Sequence, residues 1–504
     1  MRNSENNVFV SILSVTRKIC GFFVLSVLSS QCFSQSSVKD DKVSNFQYLK
    51  KFNSVFDFVQ QNYVDEVDPK VLYEGAMKGL MNSLNDPYTS YLDSDTIRDL
   101  SDTTTGNFGG VGLTITKPAE STPQKPAYVE VSSPVEDSPG ANAGILSGDY
   151  IVEIDGKPTA SMTMQQVLDN LRGEVGTPVT VKILRGKTMT FEVNLVRALI
   201  EVPTVKFGFI EETGYLRIIQ FTPDTPARVQ EALDAFREKN VKNMIIDLRD
   251  DPGGLITSVV EVADKFIDEG PIVTTKSRLA FENSTFSASP EKTVVRNLPI
   301  VVLINRGSAS ASEILSGALK DNHLAYLVGQ RSYGKGSVQQ IISLGAQEEI
   351  KITMARYYTP SDTNIDKIGI PPDLEILYPD LTEEEQKAYA ELVKENTVEN
   401  YVDEHPGMTE ADIASYAKEL MKTCAINELL LRRIIRIKVW RTQPNHLYDL
   451  DYDIQLKGAL DVLNNNPDFK KLLDSTKTLK ELQLEAEQKE NDEKSKAESG
   501  ALAD

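Results

Sequence analysis

Residues 307–322 read GSASASEILSGALKDN. They follow LPIVVLI (298–304), an apolar run that reads as a strand, so the chain passes from strand through a glycine–serine turn into a helix. Ser308, Ser310 and Ser312 alternate with alanine, and Glu313 follows. Ser310 and Glu313 fit S-x-x-E, the capping box, in which the serine oxygen merely accepts a backbone N–H. The same junction also suits chemistry. A helix start offers free N–H groups and a positive end, and a serine placed there gains its own and adjacent N–H groups as an oxyanion hole.

The surroundings indicate an α/β sheet. GYLRIIQF (214–221) reads as a strand, TPARVQEALDAFREKN (225–240) as a helix, and KNMIIDLR (242–249) as a buried strand running into DDPGG (250–254). ITSVVEVADKFI (256–267) is again helical. Strands separated by helices predict a mostly parallel sheet, and in such sheets sites form beyond the carboxyl ends of strands. DDPGGL and NRGSASAS both lie at such ends. Beyond Lys335, SVQQIISL (337–344) and EIKITMARYY (349–358) read as further strands, which makes the core mixed.

Other regions flank this core. Phe46, Leu49, Phe52, Phe56, Val59 and Tyr63 recur at helix spacing. Asp68-Pro69 then reads as an N-cap with proline at the first helical position, so residues 43–104 form a helical segment. From Gly106 the texture changes to glycine-rich and β-branched stretches, one helix, MTMQQVLDNLRG (162–173), and a closing hairpin, PVTVKILRG with MTFEVNLV; together they make one small domain over 105–200. The core spans 201–378. A charged helical region follows over 379–475, in which INELLLRRIIRIKVW (426–440) is basic and amphipathic and is expected to pack on the protein. Residues 476–504 read as a solvated helix fading into a disordered tail.

Arg17-Lys18, the apolar run ICGFFVLSVL (19–28) and CFSQSS (32–37) follow the order of a secretory signal within residues 1–34. The run is short for a membrane span. The expectation is an exported protein of the periplasm or cell envelope; cleavage after Ser34, lipid modification at Cys32 and retention as an anchor stay open. The net charge of −20 argues against nucleic acid or anionic lipid as a general partner. Of three cysteines, two precede residue 33, so no disulfide framework is implied, and three histidines do not make a Cys/His metal cluster.

A nucleophilic serine needs a base. His323, in DNHLAY, is one candidate, although a lone histidine is usually structural. Lys335, in SYGKGSVQQ, is the other: its flanking glycines let the backbone approach other groups, and burial can bring a lysine to a pKa of ~7–8. Gly329 to Lys335 also spells the first part of a phosphate-binding loop. Gly336 stands where Ser or Thr should hold Mg²⁺, and a strand follows where a helix should, so an ATPase reading is disfavoured.

GSASASEILSGALKDN, VGQRSYGKGSVQ (328–339), YTPSDTNIDKIGIPPD (358–373), DLRDDPGGL (247–255) and SLNDPYTSYL (83–92) together resemble the carboxyl-terminal processing (tail-specific) serine proteases, over about residues 45–373. The resemblance implies an α/β mixed-sheet serine protease core (ClpP/crotonase-like) with an inserted PDZ domain and flanking helical segments. It makes Ser310 the nucleophile, Lys335 the general base and Gln339 an assisting residue. The oxyanion hole would combine Ala311 with Gly253 or Gly254. Ser308, Ser312, Glu313 and Asp321 would be supporting residues, and His323 structural. In the PDZ region the GGVGL loop, with Gly110, Val111, Gly112 and Leu113, would bind the peptide carboxylate. Val167, Leu168 and Leu171 would divide between the side-chain pocket and the core, and Arg172 would couple the domain to the active site.

The implied activity is a serine endopeptidase needing no metal or cofactor. Its partners are protein or peptide substrates with apolar C-termini; membrane association through the N-terminus and homo-oligomerisation stay open. The alternative is a PDZ-containing binding or scaffold protein with an inactive protease-like core.

Overall fold

The computed structural model describes residues 41–501 apart from 119–126, 136–137, 147, 187, 346, 380, 396 and 441–446. The signal-like stretch lies outside the described residues. The chain divides into two units at Ser83/Leu84. In the first, helices Asp41–Asn62 and Pro69–Asn82 form as the spacing predicts. Asp68 caps the second, its carboxylate accepting the Lys70 N–H at 2.8 Å, with Pro69 at the first helical position. Phe46, Leu49 and Phe52 are exposed on the first helix.

The second unit is built on a six-stranded sheet in the order Val205–Ile210, Thr213–Ile218, Asn243–Asp247, Ile300–Ile304, Tyr326–Gly329, Leu374–Glu375. The first pair is antiparallel and every other pair parallel. All five residues of Ile300–Ile304 are buried, as expected for a parallel strand covered on both faces. One face packs on helices Thr225–Lys239, Ile256–Ala263 and Ala311–Asp321. The other is covered by helices Ile454–Asn465 and Phe469–Asp474, whose Leu456, Ala459 and Phe469 meet Ile245, Val301 and Val328. The 379–475 region is therefore two things. Its first helices, including Glu428–Trp440, close their own small core around Ile413, Tyr416, Leu431 and Ile435. Its last two are the missing layer of the main sheet. No described helix is long and apolar enough to cross a membrane.

The expected solvated helix at the tail has an anchor that the sequence did not show. Residues 476–504 carry helix Leu479–Ala501. Leu479 is buried in the main core, and its N–H donates to Asp321 Oδ1 at 2.8 Å. Leu482 packs there too, so two leucines at the start of the expected solvated helix anchor it to the core.

Arg249 fastens the C-terminal layer to the end of strand Asn243–Asp247. Its guanidinium reaches Asp247 Oδ1 and Oδ2 at 2.9 and 2.6 Å, and Asp453 Oδ1 and Oδ2 at 2.8 and 2.7 Å. Asp453 also caps helix Ile454–Asn465. Breaking a buried, doubly bidentate pair of this kind costs about 3–5 kcal/mol.

Two further sheets matter to the site. Strands Ser90–Leu92, Ser337–Gly345, Glu348–Tyr358, Gly270–Ser277 and Ser284–Ala288 form an antiparallel sheet. A separate antiparallel sheet runs Leu113–Thr116, Val129–Pro134, Tyr150–Ile154, Pro178–Arg185, Met189–Val196, with the predicted hairpin as its last two strands and Leu113–Thr116 at its edge. Its core includes Val131, Ile151, Val181 and helix residue Val167.

Candidate active site

Ser310 sits between strand Ile300–Ile304 and helix Ala311–Asp321 with φ 56° and ψ −111°. A non-glycine residue rarely adopts such a conformation, and structures hold it only where surrounding contacts over-determine it. Those contacts are present. Ser308 Oγ donates to Leu248 O at 2.7 Å, and Ser312 Oγ donates to Asp251 O at 3.0 Å. Ala309 N–H donates to the same Asp251 carbonyl at 3.0 Å. Both neighbouring serines are thus consumed in fixing the turn.

Ser310 is not consumed. The predicted capping box is present: Glu313 Oε2 accepts the Ser310 N–H at 2.9 Å, and the Glu313 N–H returns to Ser310, donating to its carbonyl at 2.9 Å. Among the described residues the Ser310 hydroxyl donates no hydrogen bond; its oxygen faces only the Glu313 N–H, which already bonds the Ser310 carbonyl.

Glu313 also positions Lys335. Its buried carboxylate accepts the Gly334 N–H at 2.7 Å and, on the oxygen that takes Ser310, the Lys335 N–H at 2.9 Å. Tyr357 Oη lies 3.2 Å from the Ser310 carbonyl oxygen and also hydrogen-bonds that of Lys335. The serine turn and the lysine turn are therefore tied at their main chains by two buried side chains. A Cβ on Gly334 (φ 89°) would stand 2.9 Å from the nitrogens of Ile368 and Gly369, so residues 366–369 can brace this turn only if it is glycine.

The Lys335 side chain is half-buried, its Nζ 5.0 Å from the centre of the Tyr88 ring. Among the described residues no carboxylate pairs with it. Burial pulls its pKa below the usual lysine range; the charge of Lys351 adds to this and Glu313 opposes it. Tyr88 comes from the NDPYTS turn. There Asp86 Oδ2 accepts from Thr89 Oγ1 and Thr353 Oγ1, each at 2.6 Å. Gln339 Nε2 donates to Ser337 Oγ at 2.9 Å and Thr353 Oγ1 at 3.2 Å, which joins Gln339 to the same network.

The DDPGG loop lies against the serine. A Cβ on Gly253 (φ 98°) would fall 2.8 Å from both Ser310 Cβ and the Ala311 nitrogen. The Gly253 N–H is already donated to Asp251 Oδ1 at 2.8 Å. Among the described residues the N–H groups of Gly254 and Ala311 have no acceptor. The hydrogen bonding thus separates the two candidate glycines: Gly254, with Ala311, has a donor to offer, and Gly253 does not.

Other sequence candidates fall elsewhere. His323 Nδ1 lies 3.1 Å from Leu473 O and 2.9 Å from Thr476 Oγ1, bonds that hold the C-terminal segment. Lys335-Gly336 leads into strand Ser337–Gly345, so the helix that a phosphate-binding loop requires is replaced by a strand. In the edge-strand sheet, the carbonyls of Val111 and Gly112 are taken by the N–H groups of Gly140 and Val135, each at 2.8 Å. Val167 and Leu171 are buried in its core, whereas Leu168 is half-exposed. The Arg172 guanidinium lies 5.4 Å from the centre of the Phe108 ring. Tyr88, Tyr357 and Asp251 were not singled out from sequence, because their roles arise from tertiary contacts alone.

Comparison with known proteins matches residues 212–376 to Peptidase family S41, residues 130–185 to a PDZ domain, and residues 20–96 to the activating protease CtpB N-terminal domain. The carboxy-terminal-processing protease of Bartonella bacilliformis is 38% identical over 402 residues, which cover 78% of this chain and 89% of that one. The carboxy-terminal processing protease CtpB of Bacillus subtilis is 32% identical over 341 residues, 66% and 68% of the two chains. A solved photosystem II D1 C-terminal processing protease aligns over 64% of this chain and 92% of its own, with 29% identity and a TM-score of 0.40.

Proposed function

The chain belongs to the carboxy-terminal processing proteases of peptidase family S41 and carries a PDZ domain, and from that premise we propose that Ser310 and Lys335 are its nucleophile and general base. The observation that carries this reading is the shared Glu313 oxygen, which binds the N–H of both residues while leaving the serine hydroxyl and the lysine amine uncommitted. Neutral Lys335 takes the Ser310 proton as Oγ attacks the scissile carbonyl, and returns a proton to the leaving amine. The Ala311 and Gly254 N–H groups hold the oxyanion. Gln339 orients the lysine from the neighbouring strand. Because burial favours the uncharged amine, activity rises with pH along a limb whose midpoint lies below the ordinary lysine range.

The core is, on this reading, ClpP/crotonase-like, with the serine at the strand-to-helix turn of a mostly parallel sheet. The substrate is an exported protein with an apolar C-terminus, consistent with the signal-like residues 17–37. Its tail adds to edge strand Leu113–Thr116, its carboxylate meets the Gly110–Val111–Gly112–Leu113 loop, and its last side chain packs on half-exposed Leu168. Degradation of an unfolded protein with an apolar tail, beside the same protein with a charged tail, tests this. Wild type should degrade the first, and Ser310→Ala neither. Leu168→Glu should raise KM about tenfold, roughly the effect of spoiling one apolar contact, with kcat little changed. Equal degradation of both tails would refute tail recognition.

A further inference from the structure

We propose that Asp251 is a positioning residue for the oxyanion hole: its carboxyl holds the Gly253 N–H and so keeps the adjacent Gly254 N–H turned toward a substrate carbonyl on Ser310. The inference rests on the reading of Ser310 as nucleophile. Asp251 touches both walls of that site. Its carbonyl oxygen accepts the Ala309 N–H and the Ser312 hydroxyl, each at 3.0 Å, and so fixes the residues flanking Ser310. Its side chain turns the other way, onto the Gly253 N–H at 2.8 Å. Gly253 in turn packs on Ser310 with no room for a Cβ, and Phe221 grips the loop from behind through the Gly253 carbonyl (2.9 Å) and the Leu255 N–H (2.8 Å). The peptide that follows Gly253 carries the uncommitted Gly254 N–H.

The chemistry of the carboxyl sets its working charge. Asp251 is wholly buried, and its Oδ2 has no hydrogen-bond partner among the described residues. A carboxylate so placed would leave an unsatisfied anionic oxygen behind a site where a second negative charge must develop. Among the described residues the charge that acts on it is that of Arg217, from strand Thr213–Ile218; the helix side presents the neutral Ser312 hydroxyl, which bonds the Asp251 main-chain carbonyl. Burial dominates and lifts the carboxyl to about 7, against the Gly253 hydrogen bond and the charge of Arg217. Below that pH the neutral carboxyl holds the loop without opposing the oxyanion; above it, ionisation adds an opposing charge.

Asparagine reproduces the neutral form: it keeps an acceptor for Gly253 and cannot ionise. The test is kcat and KM for a tail-bearing peptide from pH 6 to 9.5, using full-length wild type, Asp251→Asn and Asp251→Ala. Asp251→Ala should lose about 10- to 100-fold in kcat, approaching the loss of one oxyanion donor, with KM little changed. Asp251→Asn should recover most of that loss, and its activity relative to wild type should climb at least about threefold between pH 6 and 9, as the wild-type carboxyl ionises. A pH-independent ratio of Asp251→Asn to wild type would overturn the proposal even if Asp251→Ala failed to fold. So would wild-type kcat in Asp251→Ala. Labelling of wild-type Ser310 by a fluorophosphonate separates the two readings: an unlabelled Ser310 removes the nucleophile, whereas a labelled Ser310 with a pH-independent ratio removes only the role of Asp251.

Discussion

Lys335→Ala abolishes detectable cleavage, with kcat lowered by about 10²–10⁴-fold, the range for loss of a general base, while an apolar tail peptide still binds. The two effects should separate because Lys335 sits beside Ser310, whereas the proposed tail-binding strand Leu113–Thr116 belongs to a different sheet. The lysine is suited to the role by three features on independent elements. The NDPYTS turn places the Tyr88 ring beside its half-buried amine; burial and the nearby Lys351 disfavour the charge; and Glu313 holds its main chain beside Ser310. His323→Ala is the control: its ring is held by Leu473 and Thr476, and the variant should retain cleavage. Cleavage intact in Lys335→Ala and lost in His323→Ala would reassign the base.

Glu313→Gln is the second severe change, although it looks conservative. Every hydrogen-bond partner of this buried carboxylate is a donor: Ser310 N–H and Lys335 N–H on Oε2, with the Tyr357 hydroxyl 3.5 Å from the same oxygen, and Gly334 N–H and the Ser332 hydroxyl on Oε1. An amide supplies one acceptor oxygen and one NH₂. In either orientation the NH₂ faces a pair of donors. At about 1–3 kcal/mol for each orphaned donor, the variant should lose about 2–5 kcal/mol of stability. Because those donors position both reacting residues, it should also lose at least about 10²-fold in kcat where still folded. Chemical denaturation and single-turnover cleavage measure the two losses. A loss of stability with kcat intact would make Glu313 only a structural residue.

The parallel core was legible because its strands are apolar runs between helical patterns, and LPIVVLI could be placed without any partner in view. The serine loop was legible in outline. S-x-x-E correctly predicted a capped helix start, but periodicity could not reveal that the same Glu313 carboxylate also holds the Lys335 N–H. The flanking glycines of Lys335 signalled close backbone approach; that residues 366–369 are what approaches is a tertiary fact. Asp250 and Asp251 are indistinguishable in DDPGG, yet one is exposed and the other wholly buried behind the serine. The helices at 454–474 carry an ordinary amphipathic pattern, and nothing local marks them as the second layer of the main sheet. For the same reason Val167 and Leu171 could be told from Leu168 only once the PDZ core had formed.

The central claim is that Ser310 is a nucleophile activated by Lys335. Reaction with a fluorophosphonate at pH 8, followed by mapping of the modified peptide, tests it most directly. The account predicts a phosphonyl adduct on Ser310 in wild type, none in Ser310→Ala, and labelling in Lys335→Ala slowed by at least about 10²-fold. An adduct on another residue, or equally fast labelling of Ser310 without Lys335, would contradict it.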